Sequence, residues 1–127
     1  MTFFELESLE DNRAAEDGTS SLAVWYRSVR NVQLVDLGLK DIAKAIRQRL
    51  FLKETMPIAL SILREDVGAG DDYDGQLLAA VSALGHDDWS QLIIEREQII
   101  QIIGKAEKLP NMSMEQLKDI TKIKAVL

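Results

Sequence analysis

The 127-residue chain contains no cysteine, and it has only one histidine and two prolines. Without cysteine it can form neither disulfides nor thiolate metal sites, so the fold must depend on apolar packing, as suits a reducing cytoplasm. No apolar run approaches the roughly 18 residues of a membrane span. The acidic start MTFFELESLED also differs from the basic, then apolar, start of a signal peptide. These features predict a cytoplasmic protein.

Basic residues are in the minority. The chain has 15 lysines and arginines against 21 acidic residues, which gives a net charge of −6. Nucleic acid and anionic membrane are therefore poor partners, because binding to phosphates requires a clustered cationic surface. A basic protein is the better partner.

Apolar residues recur mainly at the three- and four-residue spacing of helices, and strict alternation over strand lengths is rare. The pattern predicts an all-α fold, a single compact domain over residues 1–127 with about six helices in an antiparallel array. Residues 3–9 can add a short helix, and residues 11–21 read as a loop. Ser113 and Gln116 form a capping box that begins the last helix.

Two helix boundaries are predicted from single residues. Pro57 lacks an amide donor, so we expect a break at residues 51–55 and a helix that begins just before the proline. Asp87 or Asp88 can cap one long helix that continues to Pro110.

The apolar residues of that long helix are expected to share one buried face. They are Trp89, Leu92, Ile93, Ile99, Ile100 and Ile103. Arg96 falls inside this face, so it must extend its charge to solvent, pair with a buried acid or mark a face that is not wholly buried, and we favour the first two.

The most distinctive feature of the sequence is a block of acidic residues. Between Arg64 and Arg96 there are no lysines or arginines, and the acids are Glu65, Asp66, Asp71, Asp72, Asp74, Asp87, Asp88 and Glu95. Five of them lie in the segment EDVGAGDDYD, where a turn directs carboxylates outward. Each acid alone is explained by a solvated turn or a helix cap. Together they produce a field that can accelerate encounter with a cationic partner by about 10- to 1000-fold.

This clustering predicts a partner-binding surface. The predicted polar contacts are Glu65, Asp66, Asp71, Asp72 and Asp74, with Tyr73 as an anchor and Asp87 and Asp88 as second choices. A rival hypothesis is a helical adaptor or regulator that holds its partner in an apolar groove between helices. Binding that depends only weakly on salt would favour the rival.

The sequence offers little for catalysis or metal binding. Asp72, Asp74 and Gly75 match three positions of a calcium-binding EF-hand loop, but Gly70 and Val81 stand where its first and last ligands belong. His86 precedes two aspartates at a helix start, where a turn or capping role is expected. We therefore predict no catalytic residue, no metal and no cofactor. A hydrolase built on carboxylates is the weakest alternative.

The basic residues Lys40, Lys44 and Arg47 form a ridge on one predicted helix, and Lys118, Lys122 and Lys124 lie near the chain end. Few aromatic residues lie among these charges, whereas a surface for single-stranded nucleic acid needs aromatic rings on which bases stack. The ridge is therefore predicted to be ordinary solvated helix surface.

Two segments resemble the immunity proteins of bacterial contact-dependent growth inhibition (CDI) systems. The segment AIRQRLFLKETMPIALSILRED resembles a family pattern of helix, break and proline-containing helix through Ile46, Gln48, Pro57, Ala59 and Leu60. The segment EDVGAGDDYDGQLLAAV resembles an acidic turn followed by Tyr-Asp-Gly-x-Leu-Leu through Tyr73, Asp74, Gly75, Leu77 and Leu78. Gln76 departs from the family pattern, in which an acid is usual at this position.

The resemblance implies a cytoplasmic protein that binds and blocks the C-terminal toxin domain of a large surface-delivered effector. Such toxins are often nucleases. Because a nuclease presents a basic cleft to phosphates, an acidic surface is its electrostatic complement.

Overall fold

The computed structural model describes residues 1–10 and 20–127. These residues form eight α-helices and one 3₁₀ turn at Leu34–Asp36, and they contain no β-strand. The helices are α1 (Phe3–Glu10), α2 (Ser21–Val29), α3 (Leu39–Arg47), α4 (Leu52–Glu65), α5 (Gln76–Ser82), α6 (His86–Ser90), α7 (Ile93–Ala106) and α8 (Met114–Val126). In the described ranges, none of these helices is both long and apolar enough to cross a bilayer. The all-α prediction is confirmed, with two helices more than the approximate six expected.

An aromatic cluster joins α1 and α2 to the rest of the molecule. Phe3 is buried, and its ring centroid lies 5.6 Å from that of Tyr26 and 5.8 Å from that of Phe51. The predicted opening helix is thus confirmed. The loop predicted at residues 11–21 lies mostly outside the described residues. Two residues at the end of this predicted loop are described. The Ser20 hydroxyl caps α2, and Ser21 is the first residue of α2.

The connection from α3 to α4 differs from the prediction. Helix α4 begins directly after Phe51, so the break expected at residues 51–55 is wrong, and Pro57 is the sixth residue of the helix. The chain reverses instead through left-handed backbone at Arg49 (φ 56°) and Phe51 (φ 46°), which places Phe51 in the aromatic cluster. Pro57 has no backbone N–H, so the Lys53 carbonyl receives no helical hydrogen bond. The position is tolerated because both residues are exposed and water can bond to this carbonyl instead.

The single long helix predicted to end at Pro110 is also wrong. The chain leaves helical geometry at Leu92 (φ −114°, ψ 65°), and this break separates α6 from α7. The predicted buried face is nevertheless confirmed in part, because Ile99 and Ile103 lie in the same core as Trp89 and Leu92. Trp89 and Leu92 are buried as expected, but Ile93 is 75% exposed and Ile100 49% exposed.

Arg96 fits the alternative that its face is not wholly buried, which is not the favoured one. Its side chain is exposed, and no ion pair of this residue occurs in the part of the chain that the structure describes. The residue does not pair with a buried acid, because the face that carries it is not buried.

Helix α5 is central to the main core. It packs between α3 and α8, and α4 packs against α3 and α7. The fully buried side chains of this core include Ile42, Ile46, Leu60, Leu77, Leu78 and Ile99. The predicted capping box of α8 is confirmed, since the Ser113 hydroxyl accepts from the Gln116 amide at 3.1 Å and the Gln116 side chain accepts from the Ser113 amide at 3.0 Å.

Candidate functional site

The acidic loop, residues 65–74, connects the end of α4 to α5. Two backbone hydrogen bonds close its base, from the Gly75 amide to the Gly68 carbonyl (2.9 Å) and from the Leu77 amide to the Ala69 carbonyl (3.3 Å). Gly70 allows the chain to fold back on itself, because a Cβ atom there would lie 1.8 Å from the Tyr73 carbonyl oxygen. The loop therefore has a defined backbone shape.

Gln76 holds the loop from inside. Its side-chain oxygen accepts hydrogen bonds from the amides of Asp71 (2.9 Å) and Asp72 (3.0 Å), and its side-chain amide donates to the Asp72 carboxylate (3.1 Å). The residue is buried. An amide performs this role better than a carboxylate, which would accept the backbone bonds but would repel Asp72. This role of Gln76 is not evident from the sequence, in which the residue is only a departure from a pattern.

Helix α8 supports the same loop. The Gln116 side chain lies against its glycines, since a Cβ atom added at Gly75 would approach the Gln116 Cγ to 3.2 Å. Gly75 also has a φ of +83°, a left-handed conformation that glycine adopts without strain. Gly75 thus suits this position through its left-handed backbone, and any side chain there would have to displace Gln116 slightly.

The loop also meets the start of α3. The Asp71 carboxylate accepts a hydrogen bond from the Lys40 backbone amide at 3.1 Å. This places a negative charge beside the positive end of the helix dipole, which is a stabilising position. Asp71 therefore has an internal role in addition to any contact with a partner.

The basic ridge of α3 borders the loop. An Arg47 nitrogen lies 3.4 Å from the Tyr73 hydroxyl and can donate to it. The Lys44 ammonium lies 5.2 Å from the centroid of the Trp25 ring, a cation–π contact. Two of the three predicted ridge residues thus contact neighbouring side chains.

The five acids of the loop are all exposed, and Tyr73 is 52% exposed. In the residues that the structure describes, none of these carboxylates forms an ion pair. Asp66 accepts from the Gly68 amide at 3.0 Å. The carboxylates of Glu65 and Asp74 accept no hydrogen bond from any described residue. The structure thus brings all five predicted residues into one loop and leaves two of them free.

Asp87 and Asp88 lie at a different place. Asp88 accepts from the Arg49 guanidinium (2.9 Å) and from the Gly85 amide (2.8 Å), so it is neutralised and caps α6. Arg49 follows Arg47 by two residues, and Arg47 contacts Tyr73 of the acidic loop at the same end of α3. Among the described residues, no hydrogen bond or ion pair joins Asp87 or Asp88 directly to the five acids of the loop.

The remaining candidates take structural positions. A His86 ring nitrogen lies 3.1 Å from the Val126 carbonyl oxygen, a contact that joins α6 to the end of α8. Among the described residues, no group of three or more histidine or acidic side chains converges in a way that could hold a metal ion. The arrangement of the acidic loop suits binding of a cationic surface, because its five acidic residues are exposed and form no ion pair with a described residue.

No curated protein matches the chain. A family model described as CDI immunity proteins matches residues 6–99, a span of more than half of the chain that includes α4, the acidic loop and α5. The chain therefore belongs to the CDI immunity protein family.

Proposed function

We propose that this protein binds the toxin domain of its cognate CDI effector in the cytoplasm and inhibits it by inserting the acidic loop into a basic nuclease cleft. Family membership implies the neutralisation of a CDI toxin. The nuclease activity of the toxin, the interface and the mode of inhibition are our proposal. In this proposal the protein contributes no catalytic residue.

The single observation that carries the choice of interface is the set of exposed acidic residues in the acidic loop, none of which forms an ion pair with a described residue. Glu65, Asp66, Asp71, Asp72 and Asp74 lie within ten residues, with no lysine or arginine among them. A nuclease must attract phosphates, so its active cleft carries positive charge. Several carboxylates held close together on one loop can occupy the positions in this cleft that bind nucleic-acid phosphates.

The internal hydrogen bonds of the loop increase the affinity that such a contact can reach. Gln76 and Gln116 hold the backbone before any partner arrives. Little conformational entropy is then lost on association, whereas a flexible acidic segment would have to be ordered first. Tyr73 is the apolar anchor of the proposed contact, since half of its surface is exposed in the middle of the acids.

The test uses the two acids whose carboxylates have no internal hydrogen bond. Glu65→Lys and Asp74→Lys change the surface charge without removing a bond that supports the fold. Asp36→Lys is the matched control, because Asp36 is an exposed aspartate of the 3₁₀ turn before α3 and is not among the predicted contacts. Binding is measured by calorimetry with the purified toxin domain encoded immediately upstream, at several salt concentrations.

We expect each loop variant to weaken binding by about tenfold and to reduce its dependence on salt, while the control keeps wild-type values. Digestion of RNA and DNA by the toxin, measured with and without each variant, reports inhibition directly. Unchanged affinity and salt dependence in both loop variants would remove the loop from the interface. Binding that is insensitive to salt even in the wild type would favour the apolar-groove alternative.

A further inference from the structure

The basic ridge of α3, which consists of Lys40, Lys44 and Arg47, runs beside the acidic loop. These residues recur at spacings of four and three, which places them on one line along the helix. The loop contacts both ends of this line. Asp71 accepts from the Lys40 backbone amide, and the Tyr73 hydroxyl lies 3.4 Å from an Arg47 nitrogen. A row of positive charge on the helix therefore lies next to a row of negative charge on the loop.

Two charges of the ridge are available to a partner. Lys40 and Arg47 are exposed, and neither forms an ion pair in the part of the chain that the structure describes, although the adjoining loop carries five acids. Lys44 differs, because it is half-buried and its ammonium lies 5.2 Å from the centroid of the Trp25 ring. Lys40 and Arg47 thus keep their positive charge at the surface.

The hydrogen bonds of the loop explain why the two rows do not neutralise each other. The Asp71 carboxylate binds the backbone amide of Lys40, and Arg47 donates to a neutral hydroxyl. The Asp72 carboxylate accepts from the Gln76 side chain. The fold therefore holds both signs of charge side by side. A surface patterned in this way discriminates between partners more sharply than a surface of one sign, because each partner must match both rows.

The chemistry of a nuclease supplies the complementary pattern. A nuclease holds phosphates with cationic side chains. Hydrolysis of the phosphodiester also needs a general base or a metal ion, and carboxylates serve as the base or as ligands of the metal. The active centre then carries carboxylates beside basic residues. A purely acidic inhibitor surface would be repelled by those carboxylates, whereas adjoining rows of acids and bases can pair with both kinds of group.

We propose that Lys40 and Arg47 bind carboxylates of the toxin's active centre while the acidic loop binds its phosphate-holding cations. This inference rests on the proposed function and adds the chemistry of the partner, whose bound region carries both signs of charge. The ridge then selects the cognate toxin, because a basic cleft without these carboxylates leaves Lys40 and Arg47 without partners. The ridge is thus part of the interface and not only the solvated helix surface expected from the sequence.

The direction of one effect tests this inference. Arg47→Glu and Lys40→Glu each make the protein more negative by two charge units. If an acidic surface simply met a basic one, both variants would bind the toxin more tightly. We expect the opposite, a loss of affinity of about tenfold for each, because each places like charges together. Arg47→Gln, which removes a charge and adds none, should weaken binding about threefold. Calorimetry with the purified toxin domain encoded immediately upstream measures these affinities.

Lys122→Glu is the matched control. Lys122 is an exposed lysine on α8 that forms no ion pair with a described residue, so this variant makes the same change in net charge on a different helix. Its affinity should stay within about twofold of wild type.

A second comparison separates direct contact from a positioning role of Arg47. Tyr73→Phe removes the hydroxyl that Arg47 contacts and keeps the ring. In this background Arg47→Glu should still weaken binding about tenfold. If Arg47→Glu had no further effect there, Arg47 would act only by positioning Tyr73, and the proposed contact would be overturned.

The loop variants Glu65→Lys and Asp74→Lys distinguish failure of this inference from failure of the proposed function. Weaker binding in both the loop and the ridge variants, with the control unchanged, supports both proposals. Weaker binding in the loop variants, with unchanged or tighter binding in the ridge variants, would keep the acidic interface and overturn the role of the ridge. Unchanged binding in both sets would overturn both. Weaker binding in the ridge variants alone would refute the proposed function, in which the acidic loop makes the contact.

Discussion

Replacing Gln76 with methionine is expected to loosen the acidic loop while leaving its negative charges unchanged. Gln76 is buried, and methionine has a similar length, so the space is filled without a cavity. The variant loses the two hydrogen bonds from the backbone amides of Asp71 and Asp72 and the bond to the Asp72 carboxylate. The change therefore isolates the hydrogen bonds from packing and charge.

The expected loss of stability follows from those three bonds. At about 1 kcal/mol each they contribute about 3 kcal/mol. Because Asp71 and Asp72 are exposed, water can form some of the lost hydrogen bonds in the variant. We therefore expect the free energy of unfolding to fall by about 2 kcal/mol. Urea denaturation measures this change. Hydrogen exchange should show faster exchange at the amides of Asp71 and Asp72.

Gln101→Met is the matched control for this prediction. Gln101 is exposed on α7, and its side chain has no hydrogen bond to any described residue, so stability should change by less than about 0.5 kcal/mol. If Gln76→Met lost no more than the control, and the two loop amides kept their protection, the side chain of Gln76 would not hold the loop. The reasoning about a preformed surface would then be refuted.

Two further predictions concern parts of the fold away from the loop. Burial and the hydrogen bond to Glu7 raise the pKa of Tyr26 above its ordinary value, so above about pH 10 the unfolded chain loses this proton before the folded one. Urea denaturation of wild type and Tyr26→Phe at a series of pH values tests this. The free energy of unfolding of wild type should exceed that of the variant by about 1 kcal/mol at neutral pH, and this difference should vanish near pH 11. A difference that stayed constant with pH would contradict the prediction. Ser113→Ala removes the cap of α8 and should cost about 1 kcal/mol in the same assay, whereas Ser90→Ala, at an exposed position, should cost less.

Local sequence signals predicted the elements that depend on local contacts. The capping box at Ser113 and Gln116 needs only a four-residue segment, and the opening helix needs only the spacing of Phe3 and Leu6. The gathering of five acids was also predictable, because they are close in sequence and a turn keeps them together.

Other features depend on contacts between distant residues. The left-handed backbone at Arg49 and Phe51 carries no sequence signal, since neither residue is glycine or asparagine, and the start of α4 was therefore misplaced. The pairing of Arg49 with Asp88 joins residues 39 positions apart. Which side of α7 is covered depends on how α4 packs against it, so the exposure of Ile93 and Ile100 could not be predicted from periodicity alone.

The role of Gln76 was hidden for a similar reason. A glutamine in the first turn of a helix is common, and only the folded loop shows that its side chain turns back to the amides of Asp71 and Asp72. Its departure from the acid usual in the family was the available sign.

The acidic loop separates residues that maintain its shape from residues that face outward. Gly75 and Gln76 tolerate little change, because the backbone depends on both. Glu65 and Asp74 can be exchanged without loss of an internal bond to any described residue. Over evolutionary time, one scaffold of this kind can acquire new surface chemistry at the outward positions and stay folded at every intermediate step.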